Sequence, residues 1–235
     1  MYQKVHCSGP RVGDGGHAPA RVARVSDQPI RQRDAERTRS ELLAVATEVF
    51  AESGYSGARV DEIAERTSTT KRMIYYYFGG KEQLYRAVLE EAYRGIREAE
   101  RGIDVGELGP AEAMRRLAEL TYDHHLEHQA FIRLVSIENI HRGEHIQRLQ
   151  SLRDLGQPAM SLLDEILERG RSEGVFRDDV DAFDVHLIIS AYCVFQVANQ
   201  YTFGYLFSRD LHAPESRAHL RSLIGDVVVS WLRDR

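Results

Sequence analysis

Apolar residues recur at helical rather than strand spacing along most of the chain. Leu42, Leu43, Ala46, Val49 and Phe50 form one stripe that Gly54 stops, which predicts a first helix. Val60, Ile63 and Ala64 predict a short second one. The polar stretch Thr67-Ser68-Thr69 then interrupts the pattern, and Thr70 can cap a third helix running through Tyr77. Gly79 suits the exit of that helix and Gly80 the entry to the next, which begins Lys81-Glu82-Gln83 and continues through Leu84, Val88 and Ala92. Further helices are expected over 110–128, 129–140, 143–153, 156–173, 181–207 and 214–233, with Pro110, Pro158 and Pro214 at or near helix starts. Neither alternating strands nor an Asn-Gly hairpin signal appears, so the expected class is all-α. Residues 1–33 lack the periodicity and hold Pro10, Pro19 and Pro29 beside Gly13, Gly15 and Gly16, which predicts a disordered tail. The resulting division is a tail over 1–33, a three-helix helix-turn-helix domain over 34–81 and a larger helical domain over 82–235.

A helix-turn-helix needs apolar residues that pin its first helix, here Val60, Ile63 and Ala64, and one side of its second, here Ile74 and Phe78. The opposite side is then free for a DNA major groove, and it carries Thr70, Lys71, Arg72, Met73, Tyr75, Tyr76 and Tyr77. Lysine and arginine can donate to guanine edges or phosphates, threonine and tyrosine hydroxyls to phosphates, and a methionine can touch a thymine methyl. An ordinary aromatic core segment would explain Ile74 and Phe78 but not three adjacent tyrosines around one helix.

Residues 36–85, with their Ile-Ala, turn, Tyr-x-Tyr-Phe and Lys-Glu-x-Leu pattern, resemble the DNA-binding domain of the TetR family of bacterial transcriptional regulators. The resemblance implies that residues 70–77 read the major groove, that Lys81 holds a phosphate, and that two subunits occupy a two-fold operator. Elementary electrostatics agrees about Lys81, because a cation at a helix N-terminus is misplaced unless an anion lies near it. Three positions depart from the family pattern. Ser68 stands where the turn glycine is usual, Thr69 where an apolar turn residue is usual, and Ala58-Arg59 where a hydroxyl pair opens the second helix. Arg59 replaces a hydroxyl-to-phosphate bond with a charged one.

Beyond residue 85 the reading rests on pattern. His124 and His128 share one face of the 110–128 helix with Leu117, Leu120 and Thr121, and His141 and His145 repeat the four-residue spacing. That spacing also suits a metal pair, but no cysteine or characteristic carboxylate accompanies it, so no metal and no cofactor is assigned. Tyr192, Gln196 and Asn199 interrupt the apolar 181–207 run on one face, near Phe195. With His124, His128, Phe131, Glu138 and Asn139 they form the candidate lining of a pocket for a small, largely apolar effector. The last two helices are rich in apolar residues on several sides; the resemblance implies that they form a four-helix homodimer interface.

Charge changes the picture only by segment. The net −5 of the whole chain divides into +3 over residues 1–81 and −8 over 82–235, so the positive part coincides with the helix-turn-helix. The tail arginines Arg11, Arg21, Arg24, Arg31 and Arg33 could serve as a minor-groove arm. Two cysteines, Cys7 and Cys193, cannot build a disulfide framework, and no run of 18 apolar residues occurs, so a soluble cytoplasmic protein without a membrane partner is expected. Two competing readings are a helical enzyme or metal protein built on His124, His128 and Glu138, and a redox sensor built on Cys193. No catalytic residue is assigned, since no Ser-His-Asp ordering, phosphate-cradling loop or dinucleotide fingerprint is present.

Overall fold

The computed structural model describes residues 28–103 and 106–233. Most of the expected tail therefore lies outside the described residues. Its last stretch, 28–33, is already helical. The described chain runs α1 (Gln28–Gly57), α2 (Val60–Arg66), α3 (Lys71–Phe78), α4 (Lys81–Arg101), α5 (Pro110–Glu127), α6 (Gln129–Ile140), α7 (Gln150–Ser172), α8 (Ala182–Ala198), α9 (Gln200–Phe207) and α10 (Pro214–Arg233). No strand occurs among the described residues. Within α1 the backbone breaks at Gly54, with φ 66° and ψ 175°, a conformation that glycine adopts without a Cβ clash.

Two stretches differ from the helical pattern of the sequence. The expected helices over 143–153 and 156–173 are replaced by a turn, a short 3₁₀ segment at Ile146–Arg148 and a continuous α7 that carries Pro158 inside it. A proline removes one backbone donor and can bend a helix without ending it. The expected 181–207 helix is two helices, α8 and α9, turned by 75°. Asn199 sits at the break with φ −109° and ψ 9°, in the bridge region between helix and strand. No single described helix is long and apolar enough to cross a membrane.

The helix-turn-helix head is built on Leu42, Ala46, Val49 and Phe50 of α1, Ile63 of α2 and Ile74 of α3. Its core does not end at residue 81. Leu84, Tyr85, Val88 and Leu89 of α4 belong to it, as does Leu134 of α6. Helix α4 thus runs out of the head into the larger helical part. There α5 is central, packing against α4, α6, α7, α8 and α10 around Met114, Leu117, Ile166, Phe176, Val185 and Val228.

Candidate functional site

The turn between α2 and α3 exposes one side of α3. The Thr67 hydroxyl donates to the Ile63 carbonyl at 2.8 Å and closes α2. Ser68 then takes φ 50°, a left-handed conformation that side-chain-bearing residues seldom adopt. Thr70 occupies the N-cap position of α3 in an extended conformation, but its hydroxyl makes no capping bond, contrary to the sequence expectation. Ile74 and Phe78 bury, and the Arg39 guanidinium lies 5.2 Å over the Phe78 ring.

What stays outside is Arg59 at the start of α2 and Thr70, Lys71, Arg72, Tyr75 and Tyr76 on α3, with Tyr76 77% exposed and Tyr75 49%. The three tyrosines are not one outward face. Tyr77 is half-buried against the head core and meets Tyr76 edge-on at 5.1 Å, and Met73 is half-buried as well. Lys71 is paired, its Nζ 3.1 Å from the Asp61 carboxylate, an exposed ion pair that a stronger anion can displace. Arg59 and Arg72 make no ion pair among the described residues.

Gly79, at φ 86°, ends α3, and Lys81 opens α4. The Lys81 Nζ rests 4.8 Å over the Tyr55 ring and 3.5 Å from the Ser56 carbonyl. Partial burial pulls its pKa below the usual lysine value. The misplaced cation at this helix start is thus held by a π face and a carbonyl.

A cavity of about 560 Å³ opens between α1, α4, the end of α5 and the start of α6. Thr47 and Glu48 of α1 line it with Gly95 of α4, His124, His128, Phe131 and Arg133. His128 caps α5; its Nδ1 donates to the His124 carbonyl at 2.9 Å. The His124 and His128 rings stack at 4.1 Å. Burial, then the neighbouring His128, His125 and Arg97, push His124 down to about 3. Its Nδ1 is buried without a partner, and so is that of His125. At neutral pH the His124 and His125 rings, both held low chiefly by burial, are uncharged hydrogen-bonding groups.

Of the pocket residues expected from sequence, His124, His128 and Phe131 come together here and the other six do not. Glu138 is consumed by internal hydrogen bonds from Tyr85, His145 and Ile146. Asn139 is exposed and donates to the Val135 carbonyl. The Tyr192 hydroxyl donates to the Leu220 carbonyl, which ties α8 to α10. Gln196 is buried on α8 with Oε1 unpartnered. Asn199 forms the α8–α9 break, and Phe195 points outward against Phe203 at 5.3 Å. The lining is also more polar than expected, since Glu48, Glu91, Glu127 and Arg133 border it. Sequence reasoning missed Thr47, Glu48, Gly95 and Arg133. A glycine in the middle of a long helix was the one local signal, because it costs stability unless the missing side chain makes room.

The competing constellation of His124, His128 and Glu138 is not formed. Among the described residues no three His, Cys, Asp or Glu side chains are placed to hold a metal. Cys193 is buried in α8, and its thiol is pushed up to about 12, mainly by burial, which leaves it protonated and unreactive at neutral pH.

Along α8, Phe183, Leu187, Ala191, Phe195 and Ala198 form an exposed, uncharged stripe at spacings of four and three, and Val227 of α10 is exposed too. Helix α9 buries none of its residues and exposes Tyr201, Tyr205, Leu206 and Phe207.

Comparison with known proteins matches this arrangement. Residues 42–88 match the family model of bacterial regulatory proteins, tetR family, and residues 110–228 that of the tetracyclin repressor-like C-terminal domain. The HTH-type transcriptional repressor NicS of Pseudomonas putida is 34% identical over 204 residues, covering 87% of this chain and 96% of its own. A solved regulatory protein of the tetR family from Rhodococcus RHA1 superposes with a TM-score of 0.66 at 17% identity, over 84% of this chain and 98% of its own. The ketosteroid transcriptional regulator KstR2 of Mycobacterium tuberculosis superposes with a TM-score of 0.60 at 20% identity, over 84% of this chain and 95% of its own. The chain, from its helix-turn-helix head to its last helix, belongs to the TetR family of bacterial DNA-binding transcriptional regulators.

Proposed function

We propose that this regulator is a homodimeric repressor that leaves a two-fold operator when a small effector fills the cavity at the head. The observation that carries the reading is the composition of that cavity: Thr47 and Glu48 come from α1 of the head, whereas His124, His128 and Phe131 come from α5 and α6. An occupant touches both parts at once and so binds one relative placement of them more tightly than another. That differential affinity is what a ligand-driven switch requires. The polar lining favours an effector with hydrogen-bonding groups as well as an apolar body.

Arg59, Thr70, Lys71, Arg72, Tyr75 and Tyr76 present donors to one groove, Met73 and Tyr77 contribute their exposed edges, and Lys81 contacts the phosphate backbone. In the dimer the α8 stripe meets its own copy, and two reading helices stand about 34–36 Å apart, one duplex turn. The repressor role follows NicS, a repressor whose likeness extends over nearly the whole chain. Work on DNA implies the bacterial cytoplasm.

The test is duplex selection from random sequence, followed by binding titrations and a thermal-shift screen of small hydrogen-bonding compounds. A two-fold selected site is expected. Arg72→Ala should relax its sequence preference, and Lys81→Ala should weaken binding to every sequence. A compound that stabilises the wild type but not His128→Leu should release the duplex. Such a compound leaving duplex affinity unchanged would refute the coupling.

A further inference from the structure

Glu138 is buried, 3% exposed, in α6 and accepts four hydrogen bonds. The Tyr85 hydroxyl donates to Oε1 at 2.9 Å and the His145 Nδ1 to the same oxygen at 3.2 Å; the backbone N–H groups of His145 and Ile146 donate to Oε2 at 3.1 and 3.0 Å. One carboxylate thus fastens α4, α6 and the turn after α6. The His145 ring so fixed packs on Tyr55 at 4.3 Å and on Tyr85 at 4.9 Å. Tyr55 in turn lies 5.2 Å from Tyr85 and carries the Lys81 ammonium 4.8 Å over its ring.

We propose that Glu138, His145 and Tyr55 are positioning residues that hold Lys81 in place for its phosphate contact and tie that contact to α6. The inference rests on the phosphate role of Lys81 proposed above. A lysine on a flexible four-carbon stem loses side-chain freedom when it binds a phosphate, so a π face and a carbonyl that already confine the ammonium lower that cost. At the opposite end of α6, Gln129, Ala130, Phe131 and Arg133 line the cavity. Cavity and phosphate contact therefore share one helix, and the stack is the link between them.

The chain has three lysines, Lys4, Lys71 and Lys81, so reductive ¹³C-methylation of the full-length protein, which keeps the charge, gives a spectrum with few signals. A ring-current-shifted Lys81 resonance is expected in the wild type and a random-coil position in Tyr55→Leu. In His145→Ala the Lys81 signal should move most of the way to that position. Salt titrations on a random-sequence duplex give the second readout. Lys81→Ala should flatten the slope of log affinity against log salt by about 0.9 for each phosphate no longer neutralised, and His145→Ala should do the same with Lys81 present. Adding Lys81→Ala to His145→Ala should flatten it no further. If His145→Ala folds and leaves both the Lys81 resonance and the salt slope as in the wild type, the positioning role is wrong. Should His145→Ala fail to fold, Tyr55→Leu decides by the same two readouts. An unchanged slope in Lys81→Ala alone would instead remove the phosphate role itself, and the resonance then decides whether the stack still confines the ammonium.

Discussion

The stacked rings of His124 and His128, 4.1 Å apart, cannot both carry charge without repulsion, and burial penalises the imidazolium further. His124 is held down to about 3 and the neighbouring His125 to about 4, both chiefly by burial and both from an ordinary value of 6.5. Their unfolded forms therefore take up protons between about pH 4 and 6.5 that the folded forms refuse. Stability from these two groups is complete above about 6.5 and is lost as pH falls, at up to about 1.4 kcal/mol per pH unit for each histidine. Urea unfolding across this range should show the slope, and His125→Leu should reduce it; an equal slope in the variant would assign the proton uptake elsewhere.

Gly95 abuts His124 at the cavity wall, with room for one carbon: a Cβ there would lie in ordinary contact, 3.6 Å from Nε2. Gly95→Ala should raise stability by about 1 kcal/mol through helix propensity alone. Gly95→Leu should occupy the cavity and block effector binding, so that whatever operator affinity the variant keeps no longer responds to effector. Isothermal titration of effector into each variant checks this, and full effector affinity in Gly95→Leu would place the effector elsewhere.

At Ser68 the backbone stays left-handed without a glycine to relieve it. Ser68→Gly should stabilise the head by about 0.5–1 kcal/mol, since a side chain in that region costs about 1–2 kcal/mol and glycine returns part of the gain as unfolded-state entropy. Thermal unfolding measures the sign. A lower melting temperature would show that unfolded-state entropy outweighs the strain.

Leu187 is 56% exposed in the middle of the α8 stripe. Leu187→Asp should leave the subunit folded and make it monomeric by sedimentation. Without the second head, operator binding should then weaken by about 10²–10⁴-fold, the avidity two linked sites provide. A dimer that persists would move the interface off α8.

Local pattern carried the helices of the head and most of α4, α5, α6 and α10, because each buries a stripe with a helical period. It failed at Asn199, where apolar residues continue on both sides of the break and only the backbone reveals the turn. The exposed side of α3 was legible for Thr70, Lys71, Arg72, Tyr75 and Tyr76 because Ile74 and Phe78 fix which side is inward, whereas Met73 and Tyr77 are half-buried. The cavity was half legible: the His124 and His128 pair is local, whereas Thr47 and Glu48 enter by the packing of a distant helix. Glu138 looked like a ligand contact because a carboxylate interrupts an apolar run. Its true partners, Tyr85 and His145, lie in other segments, and no spacing rule could reveal them.

Helix α4 begins at Lys81 and passes Gly95 at the cavity wall without interruption. Fourteen residues of unbroken helix amount to about 21 Å, so a tilt of about 5° pivoting at the cavity displaces the lysine end by about 2 Å. That is several times the spread of about 0.5 Å over which a hydrogen bond keeps its length. In the proposed switch, leverage of this kind is how a molecule too small to span the protein would change the footprint on DNA, by wedging a single stiff beam.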